Sequence, residues 1–530
     1  MGTYSGTYSA DTITPDFVSA GVGRDPAGST PSAAADTING FGGNDILDGG
    51  GGGDVIDGGD GSDTINDSNA GNIIYGMGGN DEITIQIYDT GGANSVDNVA
   101  YGDSGNDAIT LQIGGYGDLL GDFVGDPPGG RISLYGGTGN DVLKVSSFYA
   151  TSGMVVEYFG GEGSDELQAT ASYYDPDGSY GGDADDYLYG GSGDDRYVVN
   201  EPDDHVIEAV DQGLDTVIAY QTDFILPENV ENLQMKIGGI DPFFGPYRGI
   251  GNAYDNTIWG GETYYDNSYI LDGMAGNDTI YGSSGGKDTI NGGVGNDVLY
   301  GKLLGVDYYY LDADDDTIYG GTGNDLIYGS GGDADTWDGN DLLYGDDGND
   351  RIFGSYGDDQ MYGGTGADEL GGQGGSDTMY GGAGKDKLGG GSGNDWLYGE
   401  GDADVLSGRG DLDHLSGGPG NDIFDYDAVT DSKGAARDVI QDFAGAGAAV
   451  GDRIDLSTID ANATAGGNQA FKFVGKAGFS GAGQVRVAAS GADTLIQVNT
   501  DANKATVEMD ILVKDGTATP TQWVAGDFIL

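Results

Sequence analysis

The sequence has no cysteine, so neither disulfides nor thiolate metal sites hold it together, and cysteine usage cannot identify its compartment. Its only histidines are His205 and His414, too far apart for the two imidazoles of an H-E-x-x-H zinc helix. Basic residues are scarce: 20 Lys and Arg stand against 89 Asp and Glu, a formal charge of −69. That removes the positive surface a nucleic acid or a bare anionic lipid would need. There is no run of 18 apolar residues, hence no transmembrane helix. The start, Met1-Gly2-Thr3-Tyr4-Ser5-Gly6, lacks a basic segment followed by an apolar one, so export is expected to proceed without a cleaved N-terminal signal.

Glycine is what the chain has in excess: 107 of 530 residues, against 12 prolines. Collagen would need glycine at every third position with abundant proline, and ordinary disorder would lack the 10% aromatic content. A repeat-built β architecture remains. Most of the acidic residues are aspartates, which oppose compaction unless cations neutralise them, and hard, oxygen-seeking calcium is the natural counterion.

The repeat has a period of nine. Asp341, Asp350, Asp359, Asp368, Asp377, Asp386, Asp395, Asp404, Asp413 and Asp422 follow at nine-residue intervals, each with a large apolar residue two positions on, from Leu343 and Ile352 to Leu415 and Phe424. A second series holds Asp36, Asp45, Asp54 and Asp63, passes through Asn72 and returns at Asp81, with apolar partners Ile38, Leu47, Ile56, Ile65, Ile74 and Ile83. A third, less regular one holds Asp278, Asp288, Asp297, Asp316 and Asp325, and single copies stand at Asp107, Asp141, Asp165, Asp186 and Asp195. All these aspartates are candidate metal ligands.

Each unit reads G-G-x-G-x-D-x-U-x, with U apolar. Glycines permit tight turns whose carbonyls converge, leaving about three residues for a short strand with U pointing inward. Nine residues make half a coil, so two units complete an 18-residue rung and rungs stack about 4.8 Å apart. Asp359 is therefore expected to cooperate with Asp341 and Asp377, not with its sequence neighbours. Two stacked turns with their carbonyls would supply the six to eight oxygens calcium prefers. One buried U gives roughly 1.5–3 kcal/mol, while ordering nine residues costs about 1–2 kcal/mol each, so the rolls are expected to be disordered without ions.

Five segments are expected: an unassigned stretch 1–35; a first roll 36–195 whose rungs widen around Ile83–Tyr88 and Met154–Phe159; a β connector 196–250 without the period, including a turn at Asp241–Pro246; a second roll 251–424; and a β-rich cap 425–530. The fold class is all-β, parallel β-roll or β-helix solenoids closed by that cap.

The nonapeptide resembles the calcium-binding repeat of RTX proteins. Asp438-Val439-Ile440-Gln441-Asp442-Phe443, Gly451-Asp452-Arg453-Ile454-Asp455-Leu456-Ser457 and Asp527-Phe528-Ile529-Leu530 resemble the C-terminal domain of the serralysin family, over roughly residues 340–530. In that family the domain caps the roll and carries an uncleaved type I secretion signal, which implies an ABC exporter as partner, an extracellular destination and several bound calcium ions. The serralysin protease motif is missing, and so are the long apolar helices of RTX pore-forming toxins. His205 and His414 read as solvated or packed side chains.

Gly282-Ser283-Ser284-Gly285-Gly286 matches the G-x-S-x-G elbow of hydrolases, but it lies in a repeat turn and not between a strand and a helix. No catalytic residue is assigned. Tyr344, Tyr362, Tyr380 and Tyr398 recur every 18 residues on one side of the roll, opposite Phe353, Gly371, Gly389 and Ser407. Only one side is thus expected to carry a tyrosine ladder, either packing rung on rung or forming a contact surface for glycans or other molecules. The leading function is a structural or interaction role outside the cell, by self-association in a surface layer or matrix. The rivals are a secreted hydrolase with an unrecognised site and a soluble adhesin or ice-binding protein; Gly-Thr-Gly-Asn-Asp occurs only at 137–141 and 321–325, too irregular for an ice-binding array.

Overall fold

A computed structural model describes residues 2–15, 17–25, 30–68, 71–88, 98–114, 131–147, 154–172, 184–210, 212–236, 246–261, 267–302, 314–331, 339–448, 451–462, 466–501, 503–514 and 522–530. They fall in two compact units, Met1–Gly239 and Ile240–Leu530.

The regular period of the second unit produces a two-sheet coil. Strands Leu342–Asp347, Gln360–Thr365, Thr378–Ala383, Trp396–Gly401 and His414–Ser416 run parallel in one sheet. The intervening Arg351–Tyr356, Glu369–Gly374, Lys387–Ser392, Val405–Gly410 and Ile423–Asp425 form the other. Residues 18 apart pair in register, as in Met361↔Met379. Every U side chain from Leu343 to Phe424 points into the space between the sheets and is at most 3% exposed. All but the last strand of each sheet are six residues long where three were expected, because the glycine turns stack too: the Gly366 N–H donates to the Ala383 carbonyl at 2.7 Å.

Those turns leave no space for a side chain. Gly366 has φ +138°, and a Cβ there would overlap the Gly348 carbonyl oxygen of the preceding rung. Gly366→Ala is therefore expected to cost more than the roughly 1–3 kcal/mol of backbone strain alone. A calcium titration followed by far-UV circular dichroism should show a raised folding midpoint and a reduced final β signal.

The first unit uses the same two-sheet plan with unequal rungs. Parallel pairing joins residues 26 apart at Asp81 and Asp107, 34 at Asp107 and Asp141, 24 at Asp141 and Asp165, and 30 at Asp165 and Asp195. The stretch read as a connector continues this stack: Arg196–Val199, Thr216–Ala219 and Asn232–Met235 extend one sheet, and His205–Ile207 the other. Residues Asp241–Gly245 of the expected turn lie outside the described residues. At the other end, Thr3–Ser5 pairs parallel with Thr37–Asn39 and antiparallel with Gly23–Asp25, laying the buried Tyr4 over the first rung.

Beyond Asp425 both sheets of the second unit continue. Val439–Ile440 and Met509–Val513 extend one, turning into the antiparallel strands Asp493–Asn499 and Gln484–Ser490; Arg453–Asp455 and Phe528–Ile529 extend the other. Phe424, Phe443, Trp523 and Phe528 form a chain of ring contacts at 4.6–6.1 Å that closes this end of the core. The segment resembling a secretion signal is thus folded in: Asp527 is buried and accepts the Gly447 N–H at 2.9 Å.

The tyrosine expectation needs correction. Tyr319, Tyr344, Tyr362, Tyr380 and Tyr398 do stack, at 4.8–4.9 Å. The opposite sheet, however, carries its own series, Trp259, Tyr281, Tyr300, Tyr328 and Phe353, at 4.9–6.2 Å. The first unit has a third: Tyr75, Tyr101, Tyr135, Phe159 and Tyr189 at 4.6–5.0 Å. Unequal rungs hide these two from an 18-residue search.

Candidate metal sites

The repeat aspartates are nearly all buried and form ladders. In the second unit one begins with the Asn256 N–H donating to Asp278 Oδ1 and passes through Asp297, Asp325, Asp350, Asp368, Asp386, Asp404 and Asp422 to Asp452, each bond 2.7–3.0 Å. The other begins at the Tyr269 N–H and runs through Asp288, Asp316, Asp341, Asp359, Asp377, Asp395 and Asp413 to Asp438, at 2.7–3.1 Å. Asp359 does lie between Asp341 and Asp377. The first unit has a full ladder through Asp11, Asp45, Asp63, Asp81, Asp107, Asp141, Asp165, Asp195 and Asp215. A short one holds Asp36, Asp54, Asn72 and Asn98.

Oδ1 is thus a structural acceptor, and Oδ2 is the oxygen with chemistry to spare. In Asp81, Asp107, Asp141, Asp165, Asp297, Asp325, Asp350, Asp368, Asp377, Asp386, Asp395, Asp404 and Asp413, Oδ2 is buried with no hydrogen-bond partner. Such an orphaned charged oxygen costs several kcal/mol unless a proton or cation meets it. The turn supplies a second oxygen at the same place: a point one bond length from the Gly381 Cα lies 2.6 Å from Asp386 Oδ2 and 2.8 Å from the Gly399 carbonyl oxygen of the next rung. Carboxylate and carbonyl oxygens around a side-chain-free cradle fit calcium. The Asp residues with orphaned Oδ2, with turn carbonyls, would hold it, and the ion would supply the positive charge the ladders lack.

Electrostatics agree with that fit. Burial, reinforced by neighbouring carboxylates, pushes Asp81, Asp350, Asp377, Asp404 and Asp413 up to about 7. Burial pushes Asp107, Asp141, Asp325, Asp386 and Asp395 up to about 6.

Not every candidate is alike. Asp36 and Asp288 spend Oδ2 on the N–H groups of Ser32 and Ser283. Asp186 stands off the ladders: its carboxylate accepts from the Thr170 N–H and hydroxyl, and Ala184 occupies the repeat register, its neighbour Asp185 donating to the Met154 carbonyl at 2.9 Å. Asp11, Asn98, Asp215, Asn256, Asp438 and Asp452 hold ladder positions that the nonapeptide search missed. The shorter signal, an Asp or Asn two residues before a buried apolar residue such as Ile13, Val217, Ile258, Ile440 or Ile454, finds most of them.

Ser284 lies in a bend between strands Thr279–Tyr281 and Thr289–Val294, not at a strand-to-helix elbow. His205 sits against Tyr187 in the first unit, and His414 stacks on Trp396 at 3.9 Å in the second while Nδ1 meets Gln441 Nε2 at 2.8 Å.

Comparison with known families assigns residues 270–530 to the serralysin C-terminal domain of M10 peptidases, starting well before residue 340. Residues 32–56, 57–84, 133–145 and 180–199 match the RTX calcium-binding nonapeptide repeat. No curated protein matches the chain. The serralysin-type domain implies export by a type I system. The chain is therefore an RTX-repeat protein, secreted and calcium-binding, whose rolls lead into a serralysin-type C-terminal domain.

Proposed function

We propose that this RTX protein folds on reaching extracellular calcium and then serves a structural or interaction role, self-associating in a surface layer or extracellular matrix. The observation that carries this reading is the aromatic rows. Tyr344, Tyr362, Tyr380 and Tyr398 are half-buried, stacked at one ring per rung, and lie on an outward face. Stacking steadies the rungs, and the exposed remainder repeats the same amphipathic chemistry at fixed intervals, suited to an ordered neighbour or a glycan chain. The interior ladder aspartates are the ligands this reading assigns to calcium.

The test is calcium titration of the chelated chain with static light scattering and electron microscopy, on wild type and on Tyr362→Ser/Tyr380→Ser. Wild-type scattering is expected to rise severalfold after folding is complete, with ordered assemblies on the grid, while the double variant folds at a similar calcium level and assembles poorly. Folding of wild type without any rise in scattering would overturn the assembly reading and favour a soluble adhesin or a hydrolase. Loss of calcium folding in the double variant would assign the row to packing alone.

A further inference from the structure

We infer that the first unit contains a cation site outside the nonapeptide pattern, formed by Asp195, Glu208 and Asp215 with the Tyr197 hydroxyl turned into it. The inference rests on the calcium reading of the repeats and adds a site of different composition.

In an ordinary turn, the point above the first glycine of a unit is bounded by its own aspartate and by a carbonyl of the next rung. Above Gly136 these are Asp141 Oδ2 and the Gly160 carbonyl oxygen, and above Gly160 they are Asp165 Oδ2 and the Gly190 carbonyl oxygen. Above Gly190 the pattern changes. The register Tyr187↔His205, Leu188↔Val206, Tyr189↔Ile207 brings Glu208 opposite Gly190, where a repeat would have another glycine. The point above Gly190 is bounded instead by Asp195 Oδ2, the Tyr197 hydroxyl and Glu208 Oε1, all within 2.6 Å. Side-chain oxygens have replaced the carbonyl.

Two further observations point to a ligand. Oxygens of Asp195, Glu208 and Asp215 lie within 4.8 Å of one another, a spacing that a single ion can bridge. Tyr197 is 0% exposed and its hydroxyl has no hydrogen-bond partner, nor has Asp195 Oδ2 or either carboxylate oxygen of Glu208. A buried phenol and the unpartnered oxygens of Asp195 and Glu208, with the Asp215 carboxylate beside them, present a hard-oxygen set for a divalent cation. With three carboxylates on one centre, against a repeat turn that combines aspartate with carbonyls, the site should bind calcium more tightly than the repeats do, since ligand charge raises affinity.

The competing account is a proton held between the carboxyls, and Glu208→Gln separates the two because the amide imitates a neutral carboxyl but not a carboxylate. The experiment is equilibrium dialysis of the full chain over a range of free calcium, with bound metal counted by elemental analysis and folding followed by circular dichroism. Wild type is expected to take up its first ion below the main folding midpoint, as this end of the first unit folds around it. Glu208→Gln should lose that ion, with one fewer bound at saturation and an unchanged β spectrum. An unchanged ion count and first phase in Glu208→Gln would overturn the site and leave the proton-bridged pair. If Glu208→Gln fails to fold at saturating calcium, Tyr197→Phe decides: severalfold weaker binding of the first ion supports the site, and unaltered binding overturns it. Wild type binding no calcium at all would instead sink the calcium reading of the whole chain.

Discussion

Chelation at pH 7.5 is expected to convert the protein from a β-rich to a disordered far-UV spectrum, reversed by calcium and not by equimolar magnesium. Each ladder sets carboxylates one rung apart, about 4.8 Å. Two unit charges at that distance repel by about 0.9 kcal/mol in water and about 3.5 kcal/mol at an effective dielectric of 20. The second unit alone stacks Asp278, Asp297, Asp325, Asp350, Asp368, Asp386, Asp404 and Asp422 in one such row. Calcium held between the rungs would remove the repulsion and satisfy the orphaned oxygens. Magnesium, with shorter bonds and a reluctance to shed water, suits an all-protein cage poorly.

The same groups fix the pH response. Burial raises ladder carboxyls in the folded chain, Asp386 to about 6 and Asp404 to about 7, against roughly 3.9 for an unfolded aspartate. Raised values mean that the folded state binds more protons. The stability they contribute without metal is fully present below about pH 4 and is lost as pH rises through 6 to 7. In chelator, acid should therefore restore β structure that disappears by pH 7.5. With calcium the dependence reverses, because the ion needs the carboxylates deprotonated, and the calcium midpoint should rise as pH falls below about 6. Full β structure in chelator at pH 7.5 would refute both statements.

The second large effect is expected at a single rung. Asp386 Oδ1 accepts the Asp368 N–H at 2.9 Å, and its Oδ2 is orphaned. Asp386→Asn keeps the ladder acceptor and removes the charge; Asn72 shows that an asparagine oxygen holds the same position, accepting the Asp54 N–H at 2.9 Å. Asp386→Ala removes both, leaving a buried N–H at about 1–3 kcal/mol. Calcium titrations should show Asp386→Asn with a raised midpoint and near-wild-type final β content, and Asp386→Ala with a higher midpoint still and a lower end point. A wild-type calcium midpoint for Asp386→Asn, with only Asp386→Ala impaired, would mean that the carboxylate acts only as a backbone acceptor and that calcium is not held there.

The regular half of the second unit was readable residue by residue from the sequence. Between Asp341 and Asp422 the period sets register, inward residue and turn at once, so Met361 above Met379 and Asp359 between Asp341 and Asp377 follow from spacing alone. In a repeat stack each rung touches only its neighbours, which is why a local pattern suffices. Where rungs vary in length, spacing no longer names the neighbour. Only the folded chain put Asp107 under Asp141, aligned Tyr101 with Tyr135, and made rungs of residues 196–236. Tertiary structure also divided aspartates that look alike in sequence: Asp186 turned to Thr170, Asp36 and Asp288 spent their second oxygen on backbone N–H groups, and the interior members kept theirs. It placed Glu208 opposite Gly190. The sequence by itself determined that aspartates would stack; which oxygens remain for a cation depends on the hydrogen bonds each turn makes, and those exist only once neighbouring rungs are in place.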